Sequence, residues 1–411
     1  MNNLRVCFFT TYFYPEDFKG NDIAFELSKR GYSITVITGI PNYPSGKFFK
    51  GYSLFKKRHE LINDVEVIRL PLIPRGNGRS IRLAFNYLSY LFSTFIFTFF
   101  FSFRKRFDVV FVQQLSPFFV AIPAALMSRR QNIPLYLWVL DLWPESVQAA
   151  VGFSNHFLLS ILNKMVIGIY KKCSKILIGS EGYEKSIIHK GNFADKLVYF
   201  PNWAEDISKN TVTLDINTIF PFSSFSKDNF ILLFAGNIGE SQNLDKLIEA
   251  ANLTKNYPEI KWVFLGDGRY RHILEAIVAE YNLDEIVYFP GRFPIDTMPV
   301  FMERADILLV SLKDEFIFNL TVPSKVQFYM AQSKPILGML NGDGADLIRT
   351  SQCGYCVPAG DYRSFSEIVK QIYKKKDELK ILGRNGKNFY DRYFQKNLRI
   401  DQLEAIINHQ N

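Results

Sequence analysis

Short apolar runs alternate with helix-patterned stretches along almost the whole of this 411-residue chain, and the alternation breaks once. Runs at 5–10, 33–38, 65–70, 108–113, 134–140, 175–179 and 197–200 read as strands, with a helix expected over 21–30. Such alternation builds parallel sheets covered by helices. From 204 to 228 the periodicity is lost among Ser, Asn, Thr and Pro, so residues 206–228 read as a linker. A second series follows, with strands at 229–235, 262–265, 286–289, 307–311 and 335–338 and a helix at 244–253. The expected fold class is α/β, with two doubly wound domains, 1–205 and 229–386, facing across a cleft. Residues 387–411 are helical and charged in pattern and are expected to cross back over both domains. Ligands of such sheets bind at the carboxyl ends of the strands, so chemistry is sought there.

The formal charge is +9 and its excess lies in the first half: 25 Lys and Arg against 14 Asp and Glu over residues 1–205, and 24 against 26 over the rest. That imbalance suits an anionic partner: nucleic acid, a phosphate-rich substrate or a membrane. A solvated surface is the plainer alternative. With 48% apolar residues, 39 Phe and 21 Tyr, the composition excludes a disordered or collagen-like chain. Four cysteines exclude a disulfide scaffold. The chain starts directly on an apparent buried strand, with no signal segment ahead of it, which gives a cytoplasmic expectation with reduced thiols. Cys353-Gly-Tyr-Cys356 is a lone CxxC with no histidine near it in sequence, so packed cysteines are expected rather than a zinc site.

Residues 83–103, LAFNYLSYLFSTFIFTFFFSF, hold no charge and are flanked by Arg79 and Arg82 on one side and Arg104, Lys105 and Arg106 on the other. The length suffices for a transmembrane helix. A full span would put the strands at 65–70 and 108–113 on opposite sides of a bilayer, although both belong to the first sheet. The expectation is therefore a helix that dips into or lies on one leaflet, with a core helix as the alternative.

Several loops at strand ends carry candidate chemistry. The loop 12–21, Tyr-Phe-Tyr-Pro-Glu-Asp-Phe-Lys-Gly-Asn, feeds the first helix through Gly20, whose turn offers N–H groups to an anion. Asp141, in Asp-Leu-Trp-Pro-Glu-Ser, ends the strand at 134–140 and suits a hydroxyl-orienting carboxylate, or else a plain helix cap. Gly236-Asn237-Ile238-Gly239 and Gly266-Asp267-Gly268 allow close backbone approach to a phosphate or sugar. Thr321-Val322-Pro323-Ser324-Lys325 opens a helix, and Lys325 adds a positive charge beside its free N–H groups. No GxxxxGK[ST] loop, no GxGxxG after the first strand, no DxD triplet and no GxSxG turn occurs.

In order and spacing the pieces TTYFYPEDFKGND, ITGIPNYPSGK, DLWPES, YFPNWAE, FAGNIGESQNLDKLIEA, FLGDG, FPGRF, ADILLVSL and VPSKVQFYMAQSKPIL cover nearly the whole chain. This set resembles the glycosyltransferase family 4 group of bacterial O-antigen and capsule synthesis, including its fucosamine-transferase-like members. The resemblance implies the GT-B fold, with two Rossmann-like domains and the nucleotide-sugar donor on the second. It also implies retention of anomeric configuration and no need for a metal or other cofactor. Two features depart from the broad pattern. Its Arg and Lys after the first strand of the second domain fall on Asn237 and Gln242, and its Glu-x7-Glu pair falls on Leu320 and Phe328.

The resemblance implies transfer of a hexosyl group, such as N-acetylfucosamine, from a UDP-sugar. The acceptor would be an undecaprenyl-diphosphate-linked sugar at the inner face of the cytoplasmic membrane, with an anionic lipid surface as partner and no nucleic acid. Lys325 and Asp141 are the expected catalytic groups. Gly20, Asn237, Gln242, Gly266, Asp267, Gly268, Arg292, Phe293, Thr321, Val322 and Ser324 would hold the donor. Pro15, Asp17, Asn42, Tyr43 and Glu145 would face the acceptor. Two alternatives share the pattern: a nucleotide-sugar 2-epimerase of the same fold, and a non-catalytic polysaccharide-assembly subunit.

Overall fold

The computed structural model describes residues 4–76, 80–151, 155–204 and 214–408. Arg79, residue 205 and residues 206–213 of the expected linker lie outside the described residues. The chain forms two compact units, one of residues 1–201 with 397–411, the other of residues 202–396.

The strands of the first unit are β1 (Arg5–Thr10), β2 (Ser33–Gly39), β3 (His59–Ile62), β4 (Val65–Leu70), β5 (Val109–Gln114), β6 (Leu135–Val139), β7 (Lys175–Ile178) and β8 (Leu197–Tyr199). They form one sheet in the order β3-β4-β2-β1-β5-β6-β7-β8. Its connecting helices are α1 (Lys19–Lys29), α2 (Ser80–Arg104), α3 (Ala121–Gln131), α4 (Glu145–Val151), α5 (His156–Lys172) and α6 (Glu181–Lys190). β5 and β6 are buried at every position, as strands covered on both faces require. β3 is the exception. It pairs antiparallel with β4 through a two-residue turn, Asn63-Asp64, with both residues at positive φ.

The second unit holds β9 (Phe230–Ala235), β10 (Ile260–Leu265), β11 (Val287–Gly291), β12 (Ile307–Ser311), β13 (Ile336–Met339) and β14 (Gly354–Val357). Their order is β11-β10-β9-β12-β13-β14, with every pairing parallel. Around them run α7 (Leu244–Asn252), α8 (Arg271–Glu280), α9 (Met298–Arg304), α10 (Phe316–Asn319), α11 (Ser324–Ala331), α12 (Gly342–Thr350), α13 (Tyr362–Lys374) and α14 (Leu379–Tyr393). Alternate residues of β9 supply opposite cores: Phe230, Leu232 and Phe234 on one face, Ile231, Leu233 and Ala235 on the other. Cys356 lies on β14 and Cys353 is buried just before it, where burial raises the Cys353 thiol to about 11.

Two segments differ from the sequence expectation. The part of the expected linker from 214 to 228 is packed into the second unit, because Phe222 is buried against Phe301 at 5.3 Å and Phe225 meets Tyr288 at 5.3 Å. The terminal segment is broken at Phe394: α14 ends in the second unit, and α15 (Lys396–Asn408) packs in the first. There Ile400, Leu403 and Ile407 are buried, and Arg30 meets Asp401 at 2.6 Å and Glu404 at 2.7 Å.

The long helix α2 is inverted. Its buried face carries Asn86, Tyr90, Thr94, Thr98 and Ser102, one residue per turn, whereas Ile81, Phe85, Leu88, Phe92, Phe100 and Phe103 are exposed. A core helix would show the opposite order. Polar anchors hold it to the unit along its length: Asn86 donates to Ile73 O at 2.6 Å, Tyr90 to Thr10 O at 2.8 Å, and Gln131 to Ser102 O at 2.9 Å. By length and composition α2 suffices to cross a bilayer, yet β4 before it and β5 after it belong to one sheet.

Arg30→Glu places like charge against Asp401 and Glu404. Limited trypsin digestion of this variant is expected to remove residues after Lys396 at least tenfold faster than from wild type, through local release of α15. Equal cleavage rates would show that the apolar contacts alone hold α15.

Candidate active site

The direction of the crossovers reverses between β9 and β12 in the second sheet, which opens a crevice at the strand ends. Gly236 and Gly266 lie there at φ +148 and +140, and a Cβ on Gly266 would strike the Gly236 carbonyl oxygen. A Cβ on Gly236 would strike the Lys325 side chain. Lys325 sits in the first turn of α11, behind Pro323, with no side chain capping the helix N–H groups. Its ammonium donates to Gln242 Oε1 and lies over the Phe234 ring at 4.4 Å. Among the described residues no carboxylate pairs with it, and burial pushes its pKa down to about 7. The Tyr329 hydroxyl, buried, accepts from Ala235 N at 3.1 Å and so pins α11 to the end of β9.

The structure thus gathers Lys325, Gln242 and the exposed Asn237 beside the glycine turns. Asp267 caps its own turn through Gly268 N at 2.8 Å, while its carbonyl accepts from Ile238 N. Arg292 is exposed, next to Gly291, whose carbonyl accepts from Gly266 N at 2.8 Å. Ser324 is exposed and Val322 half-buried. Phe293 instead packs on Phe301 at 4.6 Å, and the Thr321 hydroxyl is spent on Ile317 O at 2.8 Å. Gly20 lies in the first unit, buried in α1, where a Cβ would collide with Gln113 and meet Phe8; it answers a packing need and offers no open face to a donor.

In the first sheet the reversal falls between β1 and β5. Tyr12, Phe18 and Tyr43 cluster there, with Tyr12 stacked on Phe18 at 5.0 Å and both within 5.5 Å of Tyr43. Arg75 lies over Tyr43 at 5.1 Å and Tyr12 at 5.7 Å, donates to the Tyr12 hydroxyl at 2.6 Å, and pairs with no carboxylate among the described residues. Asn42 is buried and accepts Arg75 N at 3.1 Å. Beneath them Glu16 is 2% exposed and accepts Asn42 N at 2.8 Å and Tyr43 N at 2.7 Å through Oε1. Burial raises its carboxyl to about 7 against those hydrogen bonds. Asp141 accepts from the Ser116 hydroxyl and from Trp143 Nε1 at 3.4 Å, and burial raises its carboxyl. Tyr87 on α2 feels both Arg75 and Asp141.

Glu145 does not stand free for an acceptor: it pairs with Lys190 and accepts from Ser186 at 3.0 Å. Asp17 is exposed and Pro15 half-buried. Sequence reasoning missed Glu16, Arg75, Tyr87 and Tyr329. Among the described residues no group of three or more His, Cys, Asp or Glu side chains is placed to hold a metal ion.

A carboxyl whose folded pKa is raised favours folding in its protonated form, and that advantage fades as pH rises through the folded value. Wild type is therefore expected to lose Tm relative to Glu16→Gln between pH 5 and pH 8. Parallel Tm curves for the two proteins over that range would place the Glu16 pKa in its ordinary range.

Residues 215–389 match the profile of the family described as Glycosyl transferases group 1. The chain is 25% identical over 338 residues to a probable glycosyltransferase, WbjE, of Pseudomonas aeruginosa, covering 81% of this chain and 82% of that one. It is 23% identical over 303 residues to the putative colanic acid biosynthesis glycosyl transferase WcaI of Escherichia coli, covering 70% of each. The crystal structure of Anabaena Alr3699/HepE in complex with UDP and glucose superposes with a TM-score of 0.70 at 14% identity, over 99% of this chain and all of that one. Residues 215–389 are thus similar to the glycosyl transferases group 1 family, and the two mainly parallel sheets have the GT-B fold.

Proposed function

We propose that this chain is a hexosyltransferase of polysaccharide synthesis that takes a sugar from a UDP-sugar. The observation that carries the reading is Lys325: a recessed ammonium with no carboxylate partner among the described residues, at an uncapped helix start, beside two glycine turns. This arrangement suits an incoming diphosphate, which supplies the missing negative charge. The relatives named for glycosyl transfer and colanic acid synthesis, and the neighbour that binds UDP, support the same reading.

The reaction we infer retains configuration and needs no metal. The bond from the sugar's anomeric carbon to the donor diphosphate breaks, and a bond from the acceptor oxygen forms on the same face. The acceptor's proton passes to the departing diphosphate oxygen. Lys325 and the α11 N–H groups stabilise the charge that grows on that diphosphate. On the first unit, Asp141 orients the acceptor hydroxyl, and Arg75 with Tyr43 holds the rest of the acceptor. The acceptor we propose is an undecaprenyl-diphosphate-linked sugar, and the sugar moved is an N-acetylated 6-deoxyhexosamine. The inverted α2, apolar outward and basic at Arg104 and Arg106, supports peripheral docking on the inner face of the cytoplasmic membrane.

Lys325→Ala is expected to lower kcat by about 100-fold, the scale of one transition-state charge contact, with Tm held or raised because a poorly solvated ammonium is removed. UDP release in the presence of membrane-extracted lipid-linked acceptor measures it. A variant with wild-type kcat would overturn the diphosphate assignment. Acceptor-dependent UDP release also separates this reading from a non-catalytic subunit.

A further inference from the structure

We propose that the loop 47–58 of the first unit is a second lipid-contacting element, and that the groove between it and α2 takes the hydrocarbon chain of an anionic phospholipid. The inference rests on the membrane reading of α2 and extends it to a segment with no apolar helix.

The loop reads KFFKGYSLFKKR: five cations and no acid, and no acidic residue occurs anywhere from 27 to 59. Of these cations Lys57 approaches Glu60 at 3.6 Å, and the other four pair with no carboxylate among the described residues. The loop has a built shape. The Ser53 hydroxyl accepts Phe55 N at 3.2 Å and Lys56 N at 3.1 Å, forming a tight turn with Leu54 and Phe55 at its tip. Arg58 fixes that turn by donating to Leu54 O at 3.0 Å and to Arg69 O. The ring at the tip, Phe55, is 93% exposed. Holding a large ring in water on a fixed turn is unfavourable, and hydrocarbon removes that cost.

Between this turn and α2 lies an open groove of about 620 Å³, bordered by Leu54, Ile73, Phe92, Ile96 and Phe97 with Arg58 as its one charge. The two serines of its wall are already satisfied by backbone: Ser89 accepts from Ile73 N at 2.9 Å and Ser93 donates to Pro71 O at 2.7 Å. An apolar trough with a guanidinium in its wall and lysines around it matches a chain that ends in a phosphate. A protein partner would need acids to meet four unpaired cations and an apolar ridge to fill the trough; one anionic lipid supplies both. The loop also accounts for much of the positive excess of the first half.

The test uses the full-length protein and vesicles of phosphatidylcholine with or without 30% phosphatidylglycerol. Phe55→Trp reports on the tip, because Trp138, Trp143, Trp203 and Trp262 are all buried; Phe100→Trp reports on α2. Vesicles with phosphatidylglycerol brominated on its chains are expected to quench the introduced indole of each variant. The double variant Lys50→Gln with Lys56→Gln is expected to bind them roughly 30-fold more weakly, from about 1 kcal/mol for each charge. Its Tm should match wild type, since both side chains are exposed. Quenching in Phe100→Trp with none in Phe55→Trp, or full-strength binding by the double variant, would overturn the proposal and leave the α2 reading standing. Wild-type protein that binds neither vesicle would overturn both.

Discussion

A parallel strand pair obliges its connection to cross back over the sheet, and the direction of those crossings fixes where this chain can do chemistry. In the first sheet the crossovers run from β1 out to β2 and β4 on one side and from β5 out to β8 on the other; in the second they part between β9 and β12. Strand interiors are mostly apolar, and the one buried cation in them, Arg69 on β4 among the described residues, is met by Glu60 on β3. At such partings neighbouring connections leave in opposite directions and open a crevice at the carboxyl ends. Arg75 and Asp141 belong to the first parting and Lys325 to the second.

What distinguishes the two cations, Lys325 and Arg75, is that no carboxylate among the described residues pairs with either. Glu60 supplies a counter-ion for the buried Arg69, and Lys190 does so for Glu145. Lys325 has an amide and a ring instead, and Arg75 has a phenol and two rings. A cation left in that state binds an anion without first breaking an ion pair, which is how a preorganised site acts. Glu16 has a different task. It spends its carboxylate on two backbone N–H groups that shape the 42–43 turn, and so sets where Tyr43 and Arg75 stand.

Much of the fold was legible because most of the parallel strands are short, mainly apolar runs, and such runs are visible in sequence. β3 was not, since HELI is a half-exposed edge strand whose only signal is the Asn63-Asp64 turn. The stretch 214–228 looked like a linker because it lacks periodicity, yet Phe222 and Phe225 bury themselves one ring at a time rather than by pattern. On the site, Lys325 and the glycine turns could be read because each lies next to a strand end or helix start. Glu16, Arg75 and Tyr329 could not, because their partners lie 26, 63 and 94 residues away. The apolar length of α2 was plain in sequence; which face the protein covers depends on its packing against α3 and β4, which no local pattern records.

The central claim is that Lys325 is held near half-charge until a diphosphate arrives. Titration calorimetry of UDP-N-acetylglucosamine at pH 7.5, in buffers of different ionisation enthalpy, measures the protons taken up on binding. With its free pKa lowered to about 7 and a charged bound state, wild type should take up a substantial fraction of a proton per donor. Lys325→Met should take up none and bind more weakly. Binding by wild type without proton uptake, at an affinity that Lys325→Met retains, would contradict the account.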